Sequence, residues 1–321
     1  MAAALALGER GRGRTAPNPN VGCVIVAEDG RVVGRGWTQP GGRPHAEAMA
    51  LAQAGGAARG AIAYTTLEPC AHRSRRGPTC SALLVEARVA RVVAAIEDPD
   101  PRTASEGFAW LRGAGVGVTV GMLASEARAS MAGFLTRRAL GRPHVTLKLA
   151  TSLDGAIARS DGESRWITGP ESRAHAHLER SRHEAILVGR GTLESDAPRL
   201  DVRLSGLEAR NPRRVVLTSG SAPEGWEAIA EPAAIAGLSN VDHLLVEGGA
   251  RAAAAFLRAG LVDRLLLYRA PILIGGGVQA LSDIGLASLA DAHGRWRRVD
   301  ARALGSDRLE VYEAARPAVA A

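Results

Sequence analysis

The sequence is short of the features that mark secreted, membrane-spanning or disulfide-built proteins. It holds three cysteines in 321 residues, too few for a disulfide framework. No apolar run approaches the ~18 residues of a membrane span, and even AAAAFLRAGLVDRLLLYRAPILIGG is cut by Arg and Asp. The opening MAAALALGERGRGRT lacks a basic leader, and its apolar stretch is too short for a signal peptide. Aromatics make up 3% of the chain, so Ala, Val, Leu and Ile must fill the cores. These absences lead to the expectation of a cytoplasmic protein with no membrane partner. They leave metal ligation or packing as the roles for Cys70 and Cys80.

Lysine is the other absence. Of 40 basic residues, Lys148 is the only lysine, which suggests a position where a compact ammonium rather than a guanidinium is required. A net charge of +7 and a pI near 10.2 would suit a nucleic-acid binder. The arginines are scattered rather than gathered in a stripe, so no nucleic-acid partner is expected.

What is present is an α/β chain long enough for two domains. VGCVIVAEDGRVVGRGW reads as two strands around an Asp-Gly turn. A helix starts at His45, AIAYTTL and ARVVAAIED are strands, and PTCSALLVEARV is a helix opened by Pro78 and Thr79. The helix SEGFAWLRGAG, the strand VGVTVG and one long closing helix over LASEARASMAGFLTRRALG complete the first part. Short links between strand and helix predict a mostly parallel sheet covered on both faces. Gly141 and Pro143 punctuate the chain, which gives domains at 1–142 and 143–321. The second part repeats the α/β pattern, through HVTLKLATSLDGAIA, AILVG, RRVVLTS, DHLLVEGG and DRLLLYRAPILIG, and closes on a hairpin. Its histidines at 175, 177 and 183 read as surface residues, because a spacing of two on a helix points side chains apart.

A catalytic zinc takes three protein ligands and keeps one position open. Cys70 and Cys80, in LEPCAHRSRRGPTC, supply two, and PHAEAMAL offers a third in His45 with Glu47 two residues on. His-x-Glu followed by Pro-Cys…Cys is the signature of zinc-dependent base deaminases, in which Glu shuttles protons and does not bind the metal. Cys80 stands at a predicted helix start, where the dipole favours a thiolate, and His45 is similarly placed at the start of another helix. Cys23, inside VGCVIV, reads as packing.

Most such deaminases have two residues between the Cys ligands; here there are nine. With PNPNVGCVIV, PHAE and TLEPCAH…GPTC, that longer loop resembles the bifunctional riboflavin-biosynthesis deaminase-reductase family. The resemblance implies a cytidine-deaminase-like α/β/α domain followed by a dihydrofolate-reductase-like α/β domain. It implies hydrolytic deamination of 2,5-diamino-6-(5-phosphoribosylamino)pyrimidin-4(3H)-one, then NADPH-dependent reduction of the ribosyl group to ribityl. It carries zinc, one per chain, onto His45, Cys70 and Cys80, and the proton shuttle onto Glu47. Asn20 and His72 become base contacts, and Arg73, Arg75 and Arg76 stand at the ribose-phosphate end as a hypothesis.

In the second part, AILVGRGT and HLLVEGGARA each read either as a phosphate cradle at a helix start or as an ordinary Gly turn. The resemblance continues through TLKLATSLDGAIARSDGESRWITG, GRGTLESDAPRLDVR and VEGGARAAAAFL. It implies substrate contacts from Ser164, Arg180, Leu200, Arg203 and Glu247, to which Lys148 is added on the opening strand. It implies NADPH contacts from Ala150, Trp166, Thr168, Thr192, Asp196, Ser219, Gly248, Gly249, Ala250 and Arg251. The substrate is a small molecule, and the family's members assemble as dimers or larger. The rival reading is a zinc deaminase acting on nucleic-acid bases, which leaves the second domain unexplained.

Overall fold

The computed structural model describes residues 1–72, 77–101 and 103–315. The arginines at 73, 75 and 76 and the Ala-rich tail lie outside the described residues. Chain contacts divide it into two units, Met1–Leu140 and a second that begins at Gly141.

The first unit contains α1 (Ala2–Gly8), β1 (Gly22–Val26), β2 (Val32–Trp37), α2 (Ala46–Ala54), β3 (Ile62–Thr65), α3 (Cys80–Glu86), β4 (Arg91–Ala94), α4 (Glu106–Gly113), β5 (Gly117–Val120), α5 (Ala124–Ser130) and α6 (Ala132–Leu140). Its sheet runs β2-β1-β3-β4-β5. The expectation of a mostly parallel sheet fails in this unit. β1 pairs antiparallel with both β2 and β3, and only β3-β4 and β4-β5 are parallel. The Asp29-Gly30 turn, with Gly30 at φ +84°, reverses the chain directly into β2 and sets that direction.

Two glycines let the helices approach closely. A Cβ on Gly22 would strike the Ala4 carbonyl of α1, and one on Gly36 would strike the Ala46 carbonyl of α2. Gly22 pairs with Trp37 and Gly36 with Cys23, so neighbouring positions of β1 look to opposite faces. The two helices therefore cover opposite faces of the sheet. Cys23 is fully buried in the core with Ile25, Ala50, Leu84 and Val92, as a packing residue. The expected single closing helix is two, α5 and α6, broken at the fully buried Met131.

The second unit contains β6 (His144–Thr151), β7 (Ala156–Ala158), α7 (Pro170–Arg180), β8 (Ala185–Gly189), α8 (Arg190–Asp196), β9 (Arg213–Leu217), β10 (Trp226–Ile229), β11 (His243–Val246), α9 (Ala250–Arg258), β12 (Arg264–Arg269), β13 (Val278–Gln279), β14 (Trp296–Leu304) and β15 (Asp307–Ala314). Eight strands order as β10-β9-β8-β11-β6-β12-β15-β14. They are parallel as far as β12 and antiparallel through the terminal hairpin. The central strands read as continuous apolar runs, as two-sided burial demands: Ala185, Ile186 and Leu187 are fully buried, as is Leu147. The expected strand over PILIG is absent, and β12 ends at Arg269. His183 is not a surface residue. It is 1% exposed, with Nδ1 2.6 Å from the Glu179 carbonyl and Nε2 3.1 Å from Thr146 Oγ1. The turn that ends α7 folds it beneath β6.

Candidate active sites

In the first unit three chain segments converge. His45 is the N-cap of α2 and has an extended backbone. Cys80 opens α3, whose Thr79 cap accepts the Ala82 N–H at 3.2 Å. Cys70 lies in the loop after β3. His45 Nδ1 stands 3.6 Å from Cys70 Sγ and 3.3 Å from Cys80 Sγ, and all three donor atoms lie within 4.8 Å of one another. Metal–sulfur bonds of ~2.3 Å and metal–nitrogen bonds of ~2.0 Å at tetrahedral angles put neighbouring donors roughly 3.5–3.8 Å apart. One imidazole and two thiols at this spacing fit a zinc ion. Among the described residues they form the one such cluster.

The electrostatics suit a cation. Hydrogen bonding with Cys80 draws the Cys70 thiol down, with His45 acting in the same direction, while the same hydrogen bond and burial push Cys80 up. The Cys80 N–H also donates to Cys70 Sγ at 3.3 Å. Glu47, 3% exposed on the first turn of α2, places Oε2 3.3 Å from Cys80 Sγ and Oε1 3.4 Å from Thr65 Oγ1. Burial pushes its carboxyl up from the ordinary carboxylate value, against the neighbouring His45.

His45, Glu47 and Cys70 look into a cavity of about 260 Å³ that His72, Asn18, Arg43, Glu68, Asp98 and Arg138 help to line. His72 is oriented through Nδ1, 3.1 Å from Thr103 Oγ1. Asn20 is placed otherwise than expected. It is 4% exposed and not a lining residue, and its amide nitrogen is spent on the Gly8 carbonyl and on Ser130 at 3.3–3.4 Å. Asn18, two residues earlier, lines the cavity instead. Sequence reasoning missed Glu68, Asp98 and Asp100. The acidic run EDPD was the available signal for Asp98 and Asp100, but its first two residues were read as the end of a strand.

The second unit holds a cavity of about 640 Å³. Lys148, Ala150, Ser164, Trp166, Thr168, Arg180, Thr192, Asp196, Leu200, Arg203, Glu247, Gly248 and Gly249 all line it. Ser219, Ala250 and Arg251 do not: Ser219 lies in the loop after β9, and Ala250 and Arg251 open α9 behind the Gly249 cap. His177, expected at the surface, lines the cavity, with Nδ1 3.0 Å from the Asp201 carbonyl and accepting the Arg203 N–H at 3.3 Å. His175 points elsewhere, 2.7 Å from the Tyr268 hydroxyl.

Glu247 is the charge centre of this wall. Arg180 grips it in a fork, Nε to Oε1 at 2.6 Å and Nη2 to Oε2 at 2.8 Å, and Lys148 Nζ stands 3.8 Å from Oε2. Burial acts to raise its carboxyl, but the Arg180 and Lys148 cations outweigh it and hold Glu247 at about 2. The Lys148 ammonium also lies 5.9 Å from the Tyr268 ring centre. Opposite, Trp166 is 65% exposed with the Arg173 guanidinium 4.8 Å from its ring. At the head of α9, Gly249 sits at φ +23° and a Cβ there would lie 2.7 Å from Thr192 Oγ1. The backbone turn thus passes directly over Thr192, a cradle open to a flat or phosphorylated ligand.

Comparison with known proteins matches each unit. Residues 1–96 match the cytidine and deoxycytidylate deaminase zinc-binding region, and residues 143–225 and 230–309 match the RibD C-terminal domain. The second match accounts for the half of the chain that a nucleic-acid deaminase would leave without a role. The chain is 41% identical to the riboflavin biosynthesis protein RibD of Escherichia coli, over 91% of this chain and 92% of that protein. It is 41% identical to RibD of Mycobacterium tuberculosis over 93% and 91%. Among solved structures, Acinetobacter baumannii RibD superposes with a TM-score of 0.88 at 35% identity, covering 98% of both chains. A diaminohydroxyphosphoribosylaminopyrimidine deaminase/5-amino-6-(5-phosphoribosylamino)uracil reductase from Thermotoga maritima gives 0.88 at 31%, covering 98% and 97%.

Proposed function

The chain belongs to the RibD family of bifunctional riboflavin-biosynthesis enzymes, and from that premise we propose how its residues divide the two reactions. The first unit deaminates 2,5-diamino-6-(5-phosphoribosylamino)pyrimidin-4(3H)-one. The second reduces the ribosyl group of the product to give 5-amino-6-(5-phosphoribitylamino)uracil.

In the deaminase unit His45, Cys70 and Cys80 hold one zinc ion through an imidazole nitrogen and two thiolates. When bound, zinc supplies Lewis-acid activation that brings a water's pKa towards ~7. Glu47, buried and within 3.3 Å of Cys80 Sγ, takes the proton released and returns it to the amine that leaves the pyrimidine as ammonia. His72, fixed by Thr103, orients the ring. The observation that carries this reading is the His45–Cys70–Cys80 triangle with Glu47 beside it, facing a cavity.

In the reductase unit the cofactor is NADPH, whose nicotinamide supplies the hydride. Thr192, Asp196, Trp166, Thr168, Ala150 and the Gly248–Gly249 turn hold it. Lys148, Arg180, Glu247, Ser164, Leu200 and Arg203 hold the phosphoribosylamino end of the substrate. The Arg180 fork fixes Glu247 in the ionised state, so this group accepts hydrogen bonds from ribose hydroxyls and does not donate a proton. The residues mainly align donor and acceptor. Assembly as a dimer or larger follows from the family resemblance.

The test is sequential. Zinc-loaded protein should release ammonia from the diaminopyrimidine substrate, and should oxidise NADPH only once that ammonia has appeared. NADPH oxidation without prior deamination, or ammonia with no later oxidation, would refute the division.

A further inference from the structure

Glu68 precedes Pro69 and Cys70 in the loop after β3, and its side chain faces a different segment of the unit. It is 2% exposed. Oε2 accepts the backbone N–H groups of Asp98 at 3.2 Å and Ser105 at 3.1 Å, and Oε1 accepts that of Phe108 at 3.1 Å. Ser105 is the N-cap of α4, and Phe108 lies in its first turn. The first N–H groups of a helix have no partner within it, and an anion at that end is favoured by the dipole as well. Here the satisfying anion is supplied from 37 and 40 residues away. Gly107 makes the approach feasible: a Cβ there would strike the Pro69 carbonyl and lie 3.0 Å from Glu68 Oε1.

The backbone so gathered includes two functional positions. Asp98 lines the deaminase cavity. Thr103 is fully buried, and its hydroxyl is the group 3.1 Å from His72 Nδ1. Both oxygens of Glu68 are occupied by backbone N–H groups, so the carboxylate is not set up as an acid or base for substrate.

We propose that Glu68 is a positioning residue of the deaminase. By capping α4 and pinning Asp98 it sets Thr103 where its hydroxyl orients His72 towards the pyrimidine. The inference rests on His72 being a substrate contact. It places the effect of Glu68 on substrate binding, with the proton transfer of Glu47 left intact.

Glu68→Gln replaces one acceptor oxygen by an NH2 group that faces backbone N–H donors. The expected result for the full-length zinc-loaded enzyme is a rise of about tenfold in the deamination KM, about 1.4 kcal/mol. Within about threefold kcat should hold, and zinc content and reduction of the deaminated product should be unchanged. Thr103→Val should raise KM similarly. The double variant should be no more than about twofold worse than the worse single one, because the two act through one contact. Additive effects, an unmoved KM in Glu68→Gln, or a fall in kcat that tracks lost zinc would each overturn the proposal. Should Glu68→Gln not fold, Thr103→Val carries the test alone, and an unmoved KM there is refutation. His72→Ala separates the premise from the inference. If it leaves KM unmoved, the substrate-contact reading fails and the positioning role falls with it. If it raises KM while Glu68→Gln does not, only the positioning role is lost.

Discussion

The two units solve their problems with different amounts of protein. The deaminase site is concentrated: three donor atoms lie within 4.8 Å and one carboxylate touches them. The reductase site is spread over a wall of strand ends, loops and helix starts around a cavity of about 640 Å³, with one forked ion pair at its centre. A metal ion demands a few atoms in a fixed valence geometry. A hydride donor demands alignment over its whole length, and much of that comes from backbone. The first kind of site leaves a compact motif of a few residue types; the second leaves charged, aromatic and small residues dispersed over many segments.

Several substitutions test that separation, the most severe first. Glu47→Gln should lower ammonia release by about a thousandfold, the middle of the range for a lost proton shuttle. Zinc content by metal analysis should stay constant, and reduction of deaminated pyrimidine supplied directly should proceed at the parental rate. Cys80→Ser should lose the zinc as well. Equal loss of both activities in Glu47→Gln would end the picture of two self-sufficient sites.

Removing the charge centre of the other unit should do the converse. Glu247→Ala leaves two partly buried cations without their anion and should destabilise the second unit by about 3 kcal/mol, with NADPH oxidation lost and ammonia release kept. The pH dependence has a definite sign. Burial is outweighed by the cations, so the folded value of about 2 lies below the ordinary 4.5. The stabilisation is therefore complete above pH 4.5 and is lost as pH falls from there towards 2, about 3 kcal/mol in all. Denaturant melts of the parent and of Glu247→Gln should converge over that interval; curves that stay parallel would show that the fork contributes no ionic stability.

Gly249→Ala is a milder probe. Its Cβ would crowd Thr192 Oγ1, and it should raise the KM for NADPH about tenfold, about 1.4 kcal/mol, with deamination untouched. The smallest effect belongs to Cys23→Ala. It should cost about 1 kcal/mol of stability in the first unit and leave zinc stoichiometry unchanged. A lower zinc content would place the third cysteine in the metal site after all.

How much of this was legible depended on the same contrast. The clustering of His45, Cys70 and Cys80 with Glu47 beside them could be anticipated because a metal site draws on few residue types, even where the gap between the cysteines is unusual. The hairpin around Asp29-Gly30 was legible from turn chemistry. The antiparallel β1–β3 pairing was not, because neither strand's composition records the direction of its neighbour. The partners of Asn20 were not legible because an Asn in a loop offers the same amide to a ligand or to a backbone carbonyl, and here the packing of Gly8 and Ser130 supplies them. His177 and His183 were misjudged since helical spacing says where side chains diverge, not what lies beyond them. Glu68 escaped notice for a related reason. Its partners are backbone N–H groups, which any sequence supplies.

The ends of the Cys70–Cys80 loop are sewn together independently of what lies between. The Cys80 N–H meets Cys70 Sγ at 3.3 Å, the Ser81 N–H meets the Cys70 carbonyl at 3.2 Å, and the Ser81 hydroxyl meets the Pro69 carbonyl at 2.9 Å. Doubling the length of a flexible loop with fixed ends adds only about 0.6 kcal/mol of closure entropy. The two thiols are thus placed by contacts at the ends of the loop, among Pro69, Cys70, Cys80 and Ser81, so a change of loop length bears on their positions through a small entropic cost alone.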